Sequence, residues 1–136
     1  MTLIVLAAIT LLIVTALFHI YWVFGGEAGL NRALPTKDGK RLLNPGRLLT
    51  FAVALLLFGC AFVAYALYVD ASPAKPLLTA CWVLSILFIL RAVGDFNAVG
   101  FFKKINDTDF AAYDTQYFSP LCLSLGMLFA LLSSRA

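Results

Sequence analysis

The sequence has 136 residues, 62% of them apolar and 12% charged, with a formal net charge of +3. A soluble domain is typically about 45–50% apolar and about 25% charged, so this composition excludes a disordered chain and points to the lipid bilayer as solvent. Four spans of roughly 20 apolar residues consume nearly all of these residues and leave no room among them for a separate catalytic domain.

Met1 to Gly26 carries no formal charge with His19 neutral. It has no Lys or Arg near its start and is longer than the roughly 7–15 apolar residues of a secretory signal, so it is expected to persist as a first helix of about 2–25. A second helix is expected over about 45–69, with Asn44 capping its free amides and Pro45 at its first position. The connection from Asp70 to Pro76 is short enough to make the second and third helices antiparallel neighbours, with Ser72 before Pro73 as the next cap.

The third span, about 73–97, is the informative one. Its uncharged run from Pro76 to Leu90 holds 15 residues, reaching only about 22 Å at about 1.5 Å per residue, against a hydrocarbon core about 30 Å thick. The helix is therefore expected to continue through Arg91 and Asp95, which are four apart and can neutralise each other near the boundary. A fourth span, about 108–134, has Asp107 and Thr108 as caps and Pro120 to bend its first turns. The expected fold is an all-α four-helix transmembrane bundle in a single domain.

Eight of the ten Lys and Arg residues fall in the first and third connections, among them Arg32, Lys37, Arg41, Arg47, Lys103 and Lys104. The positive-inside rule then places the two longer loops in the cytoplasm and both termini outside. Tyr21, Trp22, Phe101 and Phe102 fall at the inner boundary, and Tyr65, Tyr68 and Trp82 near the outer one. Lys103 and Lys104 beside Phe101-Phe102 also suit anionic headgroups, although positive-inside anchoring accounts for them equally.

Arg91 and Asp95 are the first candidates for function, because charges at membrane depth cost about 2.5–3.5 kcal/mol each and usually face protein or water. They form either a structural pair or part of a ligand site. His19, the only histidine, is either an acid or base reaching Asp95 or Asp114, or an interfacial residue like its aromatic neighbours. Asp114 stands beside Tyr113 and Tyr117, so a carboxylate and phenols can share one site. A lone histidine cannot supply bis-imidazole haem ligation, and Asp107 to Phe118 fails the EF-hand pattern at Ala111, Ala112 and Phe118. Cys60, Cys81 and Cys122 lack CxxC spacing and read as packing residues. There is no Gly-rich phosphate loop, HExxH or nucleophile elbow, and no metal, cofactor or nucleic-acid partner is expected.

Leu90-Arg91-Ala92-Val93-Gly94-Asp95-Phe96, then Gly100-Phe101-Phe102-Lys103-Lys104, Asp114-Thr115 and Tyr117-Phe118-Ser119-Pro120-Leu121-Cys122 together form a pattern, with His19-Ile20-Tyr21-Trp22 and Gly25-Gly26 ahead of it. The chain resembles a bacterial family of small four-helix membrane proteins catalogued as a domain of unknown function. That resemblance covers nearly the whole chain and implies that His19, Trp22, Arg91, Asp95, Lys103, Asp114, Tyr117 and Pro120 belong to a shared polar cluster, with no catalytic assignment attached.

Three functions compete. The favoured one is a module binding or transporting an amphipathic or cationic small molecule in a polar pocket at the cytoplasmic side, with ligand-binding residues His19, Trp22, Arg91, Asp95, Lys103, Asp114 and Tyr117. The second is a membrane enzyme acting on a lipid or isoprenoid, with His19 or Asp114 as base and Arg91 or Lys103 holding a headgroup. The third is a structural subunit or assembly factor. The bilayer is the common partner, and a homo-oligomer or a membrane-protein partner is compatible with each.

Overall fold

The computed structural model describes residues 1–136. Helix α1 runs Thr2–Val23, followed by a short α2, Leu30–Ala33, and a hairpin of β1, Thr36–Lys37, with β2, Lys40–Arg41. Helices α3, Arg47–Val69, and α4, Lys75–Val93, come next; then α5, Asp109–Tyr113, a π-helical turn over Asp114–Phe118, and α6, Ser119–Arg135, form one continuous fourth span. Four helices are long and apolar enough to cross a membrane, and the chain is a small multi-pass membrane protein.

Several helix boundaries differ from expectation. The amino-terminal cap of α3 is Gly46 rather than Asn44, and that of α4 is Ala74 rather than Ser72, neither with a side-chain cap. Ser72 instead donates its amide to Asp70 Oδ1, which tightens the connection. Thr108 does cap α5, accepting from the Ala111 amide. Helix α4 stops at Val93, because Gly94 turns to φ +84°. Its 19 residues span about 28 Å, so beginning at Lys75 brings it across without Asp95.

The packing is pairwise. Helix α1 lies along α3, and α4 along α6, while α3 touches α4 and α6 more lightly. The short loop therefore makes α3 and α4 antiparallel neighbours without making them the closest pair. Small residues decide which surfaces approach: Ala8 and Ala16 meet the α3 side that carries Ala54, Ala61 and Ala64, all buried. Across the other pair, Ser85 donates to the Gly126 carbonyl at 2.7 Å, and a methyl group at Gly126 would overlap Ile89. In lipid there is no hydrophobic drive between helices, so close approach and interhelical hydrogen bonds have to supply the attraction.

The apolar core joining all four spans comprises Val5, Ala8 and Leu12 of α1, Cys60 to Leu67 of α3, Cys81 and Leu84 of α4, and Leu125 to Leu132 of α6. These lie in the half next to the termini and the short α3–α4 loop. Phe129, fully buried and stacked on Phe88 at 5.7 Å between centroids, is the largest side chain there. In the other half, below the two longer loops, α4 and the fourth span are joined by polar groups.

Candidate functional site

The polar end is built around a turn that reverses the chain after α4. Gly94 and Gly100, at φ +84° and +90°, bring their backbones into direct contact, where a Cβ on either would overlap the backbone of the other side of the turn. The Phe101 amide donates to the Ala92 carbonyl at 2.8 Å, satisfying the end of α4. Between the glycines, Asp95 Oδ1 accepts from the amides of Asn97, Ala98 and Val99 at 2.9, 2.9 and 3.0 Å. Those amides, Asn97 foremost, hold the exposed Asp95 carboxyl below the usual carboxylate range. The local signal was an aspartate between two glycines, a side chain that mimics a backbone turn flanked by residues free to take positive φ.

The expected Arg91–Asp95 pair does not form. Arg91 Nη2 donates instead to Asp114 Oδ1 at 2.9 Å, on the fourth span. The side chain of Asp114 is 0% exposed, that of Lys103 1%, and that of Arg91 34%. Asp114 Oδ2 accepts the Gly100 amide at 2.7 Å and lies 3.3 Å from Lys103 Nζ, while Oδ1 also accepts from Ser119 Oγ at 3.1 Å. Lys103 Nζ donates further to the Gly100 carbonyl at 2.9 Å and to Thr115 Oγ1. One carboxylate thus faces two cations, and its oxygens and the ammonium are fully engaged within the chain. Arg91 is less complete: it makes one hydrogen bond, and its Nη1 is buried with no partner.

Ser119 reaches Asp114 because the backbone between them is π-helical. Pro120 has no amide to return to the Gln116 carbonyl, and its ring crowds that oxygen, so the helix widens and the Ser119 amide bonds the Asp114 carbonyl five residues back. Where a bend was expected from Pro120, the helix has this π-helical turn. Gly100, Thr115 and Ser119 were missed as cluster members; Pro120 was the available signal for Ser119.

The remaining expected residues lie apart from the cluster. His19 pairs its Nδ1 with the Thr15 carbonyl of its own helix at 2.7 Å and packs edge-on to Trp22 at 4.9 Å, rather than reaching Asp95 or Asp114. Trp22 Nε1 donates to the Ala28 carbonyl at 2.9 Å, fastening the loop after α1. Tyr117 is exposed and leans on Tyr113, which also stacks on Phe118 and carries the Arg32 guanidinium 5.2 Å from its ring centre. That cation–π contact and the packing of α2 on α5 tie the first long loop to the fourth span. No group of three or more His, Cys, Asp or Glu side chains is placed to hold a metal ion.

A family described as "Protein of unknown function (DUF3995)" matches residues 12–129. No curated protein and no solved structure matches the chain.

Proposed function

Because the chain belongs to the DUF3995 family, whose members carry no assigned activity in that description, its role has to come from its own geometry, and we propose that it binds or transports an amphipathic small molecule at the end bearing the two longer loops. The observation that carries this reading is the division of the span. The core joining all four helices fills one half, whereas the other half sets apolar surface, Leu87, Leu90 and Tyr117 included, beside a charged cluster. Such a boundary offers both phases that an amphiphile needs. The buried carboxylate, Asp114, is already occupied by two cations, and Asp95 Oδ1 is taken up by three amides of its own loop, which favours an amphiphile with an acceptor head over a cationic one. The excess of Lys and Arg in these loops supports a cytoplasmic placement of this end in a bacterial inner membrane.

The test is photo-crosslinking of a diazirine-bearing fatty acid to the protein in nanodiscs. Labels should concentrate in 85–93 and 114–122 and be competed by unlabelled fatty acid; uniform labelling along the helices rejects the reading. One observation favours a structural subunit instead, namely the complete internal pairing of Asp114 and Lys103. That alternative predicts a stoichiometric membrane-protein partner on mild solubilisation. A lipid-directed enzyme draws the least support, since of its two candidate bases Asp114 is held between two cations and His19 lies apart from Arg91 and Lys103, bonded within its own helix.

A further inference from the structure

Arg91 lies two residues before the end of α4, whose 19 residues span about 28 Å, close to the thickness of a hydrocarbon core. Its guanidinium therefore sits at headgroup depth. A guanidinium has donors on three nitrogens in a planar fork suited to phosphate or carboxylate oxygens, yet this one meets a single acceptor in the chain, Asp114 Oδ1. Lys103, by contrast, has three oxygens around its ammonium. With one carboxylate between two cations the cluster carries an excess positive charge, and the underpaired cation is the one that remains a third exposed. Charge at a low-dielectric boundary calls for a counter-charge. Leu87, one turn before Arg91, and Val83, a further turn back, are both half-exposed and apolar, so a track for a hydrocarbon chain runs from the guanidinium toward the membrane centre.

Resting on the amphiphile reading above, we propose that Arg91 is a headgroup site for an oxyanion, a phosphate above all, carried on an acyl chain that lies along Val83 and Leu87. The oxyanion takes guanidinium donors that Asp114 leaves unused. Lys103 and Asp114 hold the guanidinium in place and do not touch the ligand.

Native mass spectrometry of the detergent-purified protein tests this, with phosphatidylglycerol, the diacylglycerol of the same chains, and inorganic phosphate as probes. The wild type should retain phosphatidylglycerol about tenfold better than diacylglycerol, the ratio expected for one charge-assisted contact. Arg91→Lys keeps a cation for Asp114 but loses the fork, and should bring the two lipids to parity. Leu87→Trp blocks the chain track without touching the cluster and should lower phosphatidylglycerol retention several-fold, which keeps the test informative if Arg91→Lys does not fold. Equal retention of both lipids by the wild type overturns the oxyanion site while leaving amphiphile binding intact; retention of neither lipid overturns both. Displacement of phosphatidylglycerol by an equal concentration of inorganic phosphate overturns the role of the chain.

Discussion

The two halves of the helical span are held together by different chemistry, and they should fail differently. Near the termini, the side chains of Leu12, Leu67, Leu84 and Phe129 interlock through dispersion, in a solvent as apolar as they are, with only the neutral bonds from Cys81 Sγ and Ser85 Oγ to α6 carbonyls beside them. Beneath the longer loops, one enclosed carboxylate draws together the end of α4, the Gly94–Gly100 turn, Lys103 and the π-turn of the fourth span. The first arrangement loses stability in proportion to the atoms removed. The second depends on a single side chain, because the Arg91 guanidinium and the Gly100 amide bond no other group than Asp114.

The sharpest way to break the comparison is Asp114→Ala, which leaves two cations without their shared counter-charge. Loss of one member of a buried pair costs about 3–5 kcal/mol, so denaturation in micelles should show the largest drop of any single change. A loss no greater than that of a core truncation would dissolve the distinction between the halves. Gly100→Ala should follow at roughly 2–3 kcal/mol, since it combines a positive φ with overlap on the Val93 carbonyl. Phe129→Ala in the apolar half should cost about 2 kcal/mol. That is less than in a soluble core, because lipid removes the transfer contribution and leaves the cavity; its effect on hydrogen exchange should stay at the terminal end and spare the Gly100 amide.

The four spans, the Thr108 cap and the disturbance at Pro120 were legible because each follows from a local requirement: hydrocarbon thickness, unpaired amides, a missing N–H. The partner of Arg91 was not. Spacing along one helix suggested Asp95, but Gly94 ends α4 before that residue and the true partner is 23 positions away. The identity of a residue brought in by another span is a tertiary fact that periodicity does not encode. The hairpin after α2 was overlooked for a simpler reason. Asp38-Gly39, both at positive φ, is a turn signal that a search for membrane spans passes over.

The smallest expected effect concerns Asp95, whose carboxyl sits below its ordinary range through the Asn97, Val99 and Ala98 amides. A group with a depressed folded pKa contributes stability that is fully present above its unfolded value, about 3.9, and lost as pH falls through the folded value. Amide NMR shifts of 97–99 should therefore be flat from neutral pH down to about pH 5, and move only in stronger acid. Asp95→Asn should loosen the same amides at every pH while leaving Arg91–Asp114 intact. Movement of the Asp114 side in step with Asp95 would show that the loop and the buried carboxylate act as one unit.

The π-turn at Asp114–Phe118 has a geometric corollary. In an uninterrupted α-helix, residues five apart diverge by about 140° around the axis, so Asp114 and Ser119 would aim at different neighbours. Widening the coil by one residue introduces a phase offset within a single rod, so the aspect that carries the carboxylate and the aspect that carries Leu125, Leu128 and Phe129 are oriented independently of each other. Excising Gln116 would restore a regular winding and swing the carboxylate away from Arg91 while the lower seam kept its alignment.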